Sequence, residues 1–166
     1  RTKPRLAIGA TYSFFDNANQ DRGMFGLPFA DGGTADYHFV YADAMLKVRG
    51  FSALTEFSFR TGKRKIGPDD PALSPDLATD PRNGLGWMLQ AGYLIPNTRF
   101  EFAGRGALIQ ATRSPTSLDD SYAITGSVSW YFARHPFKIQ ADVSQIWENV
   151  FNEGATTFRL QLQASL

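Results

Sequence analysis

Apolar and polar side chains alternate along most of this chain with a period of two residues, in segments of about ten residues. Such alternation is typical of β-strands whose two faces meet different surroundings. It predicts eight strands, at residues 5–14, 37–49, 51–60, 85–95, 99–109, 121–132, 137–147 and 156–166. The second strand is the least regular, because Tyr37, Phe39 and Tyr41 share parity with Asp43 and Lys47 and are expected to face inward with them.

The connections between these strands are predicted to alternate between long and short. The long connections are expected at residues 15–36, 61–84, 110–120 and 148–155, and the short ones at Gly50, at Pro96 and Asn97, and at 134–136. Bacterial outer-membrane barrels have short periplasmic turns and longer extracellular loops. An even number of strands would also place both ends of the chain on the short-turn side.

The aromatic residues of the apolar face gather near both ends of the strands, as in the two interfacial belts of a membrane barrel. The predicted interface aromatics are Tyr12, Phe14, Phe59, Trp87, Tyr93, Trp130, Phe137 and Trp147. We therefore predict an all-β fold, an antiparallel transmembrane β-barrel of about eight strands, as a single domain over residues 1–166. The alternative is a soluble barrel of the lipocalin kind, which points its apolar face inward and needs no double belt.

Composition narrows the function classes further. No stretch approaches the roughly 18 uninterrupted apolar residues of a membrane-spanning helix, so a helical membrane protein is excluded. The 17 basic and 16 acidic residues leave a net charge of +1, which does not indicate nucleic acid as a partner. The chain has no Cys, so neither disulfides nor thiolate chemistry are available.

The sequence offers little for catalysis, and we predict neither an enzyme nor a cofactor or metal site. Its two histidines, His38 and His135, have no metal-ligand spacing and no Ser and Asp partners for a hydrolytic triad. In the second long connection, the basic run 63–65 is a candidate for lipopolysaccharide phosphates, and the acidic residues of 69–80 are a candidate for a divalent ion. A solvated flexible loop is the simpler interpretation of both.

The polar face carries ten charged residues that would line the lumen of a barrel. They are Asp43, Lys47, Arg49, Glu56, Arg60, Glu101, Arg105, Lys138, Asp142 and Arg159. Basic residues outnumber acidic ones, and basic residues along a pore favour anions. The alternative is that these charges pair and are structural.

The pairing depends on the turns. A turn of about four residues at Gly50 sets Lys47 diagonal to Glu56, whereas a tighter turn sets Asp43 opposite Glu56. If Trp147 faces Thr156, Asp142 lies diagonal to Arg159, within reach of its long side chain.

Three stretches of the chain resemble the phosphate-selective porin O and P family of outer-membrane channels. They are the hairpins YADAMLKVRGFSALTEFSFR (41–60) and GWMLQAGYLIPNTRFEFAGR (86–105), and the ending FKIQADVSQIW with FRLQLQASL. Full members have about twice as many strands, so the resemblance is to their C-terminal half. Outer-membrane barrels also usually end in an aromatic residue, whereas this chain ends in Leu166. No phosphate-binding residue of the family can be matched to this sequence.

The resemblance implies a location in the outer membrane of a Gram-negative bacterium. The partners it implies are outer-membrane lipid and lipopolysaccharide, the barrel assembly machinery and small solutes, with assembly of identical copies left open. The function predicted is passive passage of small, in particular anionic, solutes. The alternative is a closed eight-stranded barrel with a charge-paired, plugged interior and a structural, adhesive or lipid-interacting role.

Overall fold

The described part of the chain forms a single antiparallel sheet of eight strands. A computed structural model describes residues 3–74, 76–112, 115–133, 137–149 and 154–164. The strands are β1 (Arg5–Ala18), β2 (Thr34–Val48), β3 (Phe51–Lys65), β4 (Gly84–Leu94), β5 (Phe100–Ala111), β6 (Ser121–Ala133), β7 (Phe137–Glu148) and β8 (Gly154–Ala164), and each pairs with its neighbours in sequence. The all-β class and the eight antiparallel strands are therefore confirmed.

The first three strands are longer than predicted at one end of the sheet. The β2–β3 ladder continues to the pair Thr34 and Lys65, so residues 61–65 are strand rather than loop. The connections at this end, which we call the long-loop end, run over 19–33, 66–83 and 112–120, and the second contains one 3-10 turn at Pro71–Leu73. Among the described residues, no helix is long and apolar enough to cross a membrane.

A two-residue turn at the opposite end, the short-turn end, fixes the register of β2 on β3. Arg49 and Gly50 have φ values of 46° and 86° and join the directly paired residues Val48 and Phe51. Positive φ at both central residues defines a type I′ turn, whose twist suits a hairpin. The four-residue alternative is therefore wrong. The predicted turn at 134–136 lies outside the described residues.

The strands are sheared relative to one another. The residues paired across the sheet with Arg5, the first residue of β1, form a row that ends at Arg159 in β8. Arg159 lies five residues before the end of β8, so the two edge strands are offset along the sheet. At the other end, the row from Gly154 meets β1 eight residues before Ala18. With about 3.3 Å per residue and about 4.8 Å between strands, the strands tilt by about 25–40°. Closed barrels have tilts of about 35–45°.

Both edges of the sheet are open. Within the described part of the chain, β1 pairs with β2 alone and β8 pairs with β7 alone. Every residue of β8 is exposed, on both faces of the strand. Closure into a barrel is therefore not detected among the described residues, and the eight-stranded sheet is what positions the candidate site.

Candidate functional site

The register places the predicted lumen charges on a single face of the sheet. Arg5, Lys47 and Ser52 are neighbours across β1–β3, and the same row continues to Asp142 and Arg159 in β7 and β8. Nine of the ten predicted charged residues lie on this polar face, namely Asp43, Lys47, Glu56, Arg60, Glu101, Arg105, Lys138, Asp142 and Arg159. The tenth, Arg49, lies in the turn below it.

Basic side chains surround a cavity of about 690 Å³ at the short-turn end of the polar face. Lys3, Arg5, Lys47 and Arg49 line it, and none of the four forms an ion pair with any described residue. Glu101 is the carboxylate in the lining, and it accepts a short hydrogen bond from the Tyr131 hydroxyl. The cavity therefore carries an excess of positive charge, which attracts anions.

The middle of the polar face contains one strong ion pair. The carboxylate of Asp142 accepts hydrogen bonds from Nε and Nη2 of Arg159 at 3.0 Å and 3.1 Å. The two residues are directly opposite rather than diagonal, because Trp147 pairs with Gly154 instead of Thr156. Such a fork of two parallel bonds is the strong geometry for Arg and carboxylate.

The tight turn sets two like charges against each other elsewhere on this face. Asp43 lies directly opposite Glu56, and Lys47 lies opposite Ser52. Within the described residues Lys47 forms no ion pair with Glu56. Facing carboxylates repel in a sheet, so half of the predicted pairing scheme is absent and the polar face is only partly neutralised.

Two connections fold over the polar face at the long-loop end and form a lid, defined by residues 19–33 and 66–83. Phe29 and Ala78 are buried against Tyr37, Ala35 and the partly buried Phe39. Main-chain hydrogen bonds join the two segments, from the Ala30 amide to Ala78 at 2.8 Å and from the Ala78 amide to Pro28 at 3.0 Å. The lid therefore covers Tyr37 and Phe39, two of the aromatic residues that made β2 irregular, whereas Tyr41 stays exposed.

Two buried carboxylates anchor the lid to basic residues. Asp31 pairs with Arg64 in β3 through a short hydrogen bond, and the guanidinium of Arg64 lies 3.7 Å from the centroid of the Phe29 ring. Asp21 accepts a hydrogen bond from Nε of Arg82 at 2.9 Å. Both carboxylates are almost fully buried, and pairing offsets the cost of removing them from water.

Burial alone would raise the pKa of Asp31, but hydrogen bonds outweigh it. The Gly67 amide donates to Asp31 at 2.9 Å and the Gly33 amide at 3.0 Å, and the Arg64 guanidinium adds a third bond. These donors favour the ionised form and lower the pKa of Asp31 to about 2. The anchor therefore stays charged at any pH above about 4.

Two further side chains, Asn83 of the lid and Tyr37 of β2, hydrogen-bond the lid to the sheet. The side chain of Asn83 accepts a hydrogen bond from the Gly62 amide at 2.5 Å and donates to the Gly62 carbonyl at 3.2 Å. The Tyr37 hydroxyl donates to the carbonyl of Gln20 at 3.0 Å. A Cβ at Gly62 would lie 2.4 Å from the Tyr37 ring, so only glycine leaves room for this packing.

The opposite face of the sheet is apolar and carries all eight predicted interface aromatics. Toward the long-loop end, Trp87, Tyr122 and Trp147 lie in one row of paired residues. Toward the short-turn end, Phe100 stacks on Trp130 with ring centroids 6.0 Å apart. Tyr122 and Trp130 are eight residues apart in β6, or about 27 Å along the strand and about 22 Å in height at this tilt. Membrane barrels have an apolar band of about 25 Å between their belts.

Several expectations about the long-loop end are corrected by the structure. Residues 63–65 belong to β3, and Arg64 faces the lid, so the three do not form one outward basic patch. Lys65 pairs with Asp36 at 2.7 Å on the other face. Phe29 of the first connection folds back over the polar face and is buried, whereas Phe25 is 76% exposed.

Within the described residues no group of three or more His, Cys, Asp or Glu side chains is arranged to bind an ion. His38 lies on the apolar face, where its Nδ1 is 2.8 Å from the Tyr12 hydroxyl and its ring packs on Phe14. His135 lies outside the described residues.

Comparison of the chain with protein-family models, with curated proteins and with solved structures finds no match. The resemblance to the phosphate-selective porin O and P family therefore stays a prediction.

Proposed function

We propose that this chain forms part of the wall of an outer-membrane pore through which small, in particular anionic, solutes pass without energy input. The observation that carries the proposal is an open, sheared eight-stranded sheet whose two faces are sharply different. One face is apolar with two aromatic belts, and the other is charged and holds the basic cavity at the short-turn end.

The open edges favour a wet wall over a closed, filled barrel. About eight strands enclose only side chains, whereas 16 to 18 strands leave an aqueous channel. In a closed eight-stranded barrel, polar-face residues such as Arg159 and Gln161 would be enclosed, but here they are exposed on an open edge strand. Neighbouring strands are antiparallel throughout the sheet. A further strand added beside β1 or β8 would therefore continue the same up-and-down order. Those strands could come from a longer chain or from identical copies.

The alternative is the closed barrel with a plugged interior and a structural, adhesive or lipid-interacting role. Two features favour it: the lid already covers part of the polar face, and Asp142 and Arg159 neutralise each other. In that case the lumen would conduct little at any protein concentration.

The first experiment asks whether the apolar face needs lipid. The chain should stay folded only in detergent or bilayers, with a β-rich circular dichroism spectrum and a gel mobility in SDS that changes on boiling. A monodisperse protein without detergent that encloses a small lipid would contradict the proposal and favour a lipocalin-like barrel.

The second experiment measures conductance in planar bilayers at rising protein-to-lipid ratios. Isolated chains should give little steady current, and assembled ones should give current whose reversal potential favours anions. Arg105→Gln and Lys138→Gln should reduce this preference without unfolding the protein, because both lie on the polar face. The control is Lys63→Gln, an exposed lysine of the opposite face. Stable large steps from monomers, or equal effects of all three variants, would refute the proposed wall.

A further inference from the structure

A second, smaller cavity of about 300 Å³ lies on the polar face below the lid. It differs from the basic cavity because its lining is mostly apolar. Phe39, Tyr41, Ile109 and Leu118 contribute its side-chain wall, and Gly84 and Gly86 form part of its floor. Recesses with a mostly apolar lining and a few polar groups bind small molecules.

The shape of this recess depends on a contact between two connections. Thr116 Oγ1 accepts hydrogen bonds from the Asn83 amide at 2.9 Å and from the Leu118 amide at 3.2 Å. These bonds hold Leu118 above the sheet. A Cβ at Gly84 would lie 2.2 Å from Leu118, so a larger residue there would displace this side chain and change the recess.

One cation lines the recess, and its charge is not matched by a direct partner. Arg60 donates from Nε to the carbonyl of Arg82 at 2.5 Å, and its guanidinium lies 5.7 Å from the Phe39 ring centroid. Among the described residues Arg60 forms no ion pair, and the nearby carboxylate of Asp21 is already bound by Arg82. The terminal nitrogens Nη1 and Nη2 of Arg60 therefore have donors for an incoming acceptor.

We propose that this recess binds a small aromatic carboxylate, with the ring against Phe39, Ile109 and Leu118 and the carboxylate on Arg60. A planar guanidinium matches the two oxygens of a carboxylate, and the apolar wall favours a ring over an inorganic ion. The inference names one solute class for the polar face, and to that extent it rests on the proposed function.

The test measures equilibrium binding of 4-fluorobenzoate to the detergent-folded chain by fluorine NMR, with 4-fluorobenzyl alcohol as the neutral analogue. The carboxylate should bind at least fivefold more tightly than the alcohol. Ile109→Phe should weaken binding of both at least tenfold by filling the recess. The matched control is Ile146→Phe, which makes the same change on the same face in β7, away from the recess, and should leave binding unchanged.

The role of the charge is tested separately. Arg60→Gln should remove the preference for the carboxylate over the alcohol while keeping the weak binding of the alcohol. Arg60→Lys, which keeps the positive charge, should retain part of the preference for the carboxylate. No binding by the wild-type chain, or equal losses in the two isoleucine variants, would overturn the inference. Anion-biased conductance with no binding at the recess would refute this site alone, whereas binding without conductance would refute only the pore.

Discussion

Removal of one lid carboxylate provides a direct test of how the lid is held. In Asp31→Asn, the side chain keeps its size but loses the charge that pairs with Arg64. The Gly33 and Gly67 amides donate to different oxygens of Asp31, and Asn has a single side-chain oxygen, so one of the two amides loses its acceptor. We therefore expect the lid to open more often while the sheet below it stays folded.

The magnitude follows from the depressed pKa. A fall in the pKa of Asp31 from 3.8 to about 2 corresponds to about 2 kcal/mol of preference for the ionised form. Asn still accepts one of the two amide hydrogen bonds, so the loss should be about 1–2 kcal/mol. Such a change raises the population of the open lid about 5- to 30-fold.

Amide hydrogen exchange of the folded protein measures this opening. The amides of Ala30 and Ala78 join the two lid segments, so their exchange reports separation of those segments. The control is Asp16→Asn, which removes an exposed partner of Lys65 outside the lid and should change exchange less than about twofold. Unchanged exchange at Ala30 and Ala78 in Asp31→Asn, or equal changes in both variants, would refute the anchoring role.

The same anchor predicts an acid dependence. Because the pKa of Asp31 is lower in the folded lid, its contribution is present above pH about 4 and is lost as the pH falls toward 2. Lid exchange in the wild type should accelerate across that window after correction for intrinsic rates. In Asp31→Asn this part of the pH dependence should be absent.

Three further predictions concern the sheet. Gly50→Ala should destabilise it by about 1 kcal/mol in urea unfolding, because φ is +86° and a Cβ would lie 2.6 Å from a main-chain oxygen; no change would contradict the turn assignment. Arg159→Gln should lower the free energy of unfolding more than Asp142→Asn does. Without Arg159, the buried carboxylate of Asp142 has neither its partner nor water, whereas Arg159 is 64% exposed and stays hydrated without Asp142. Equal losses in the two variants would contradict this asymmetry. Since the chain has no Cys, single-Cys variants show which end of the sheet faces the outside of the cell. Asp70→Cys should react with an impermeant maleimide on intact cells, and Asn97→Cys should not. The reverse result would invert the proposed orientation.

The two faces of the sheet were predictable because a strand has a period of two. Odd or even position along a strand was enough to assign each side chain to the polar or the apolar face. Even Tyr37 and Phe39, the aromatic residues of the irregular β2, lie on the face that this rule predicts. Register was harder, because it depends on turn length. One turn of two residues instead of four moved Asp43 opposite Glu56 and removed the diagonal contact of Lys47.

The lid could not be derived from local patterns. Its anchors Asp21, Asp31 and Asn83 are ordinary loop residues in sequence, and their partners lie in other connections or in β3. One signal pointed to it: aromatic residues on a polar face need cover, and Phe29 in the adjoining loop supplies it. The apolar recess was missed, because it needs Leu118 from a third connection.

The pairing order has a consequence for how the sheet assembles. Every strand contacts its sequence neighbours, so each step of folding joins segments that are close along the chain. Such local steps are entropically cheap and fast, and the sheet can grow hairpin by hairpin. Closing a complete wall is different, because its first and last strands are distant along one chain or belong to separate molecules. That last step should be the slow one, and its rate should depend on protein concentration only if the added strand comes from another copy.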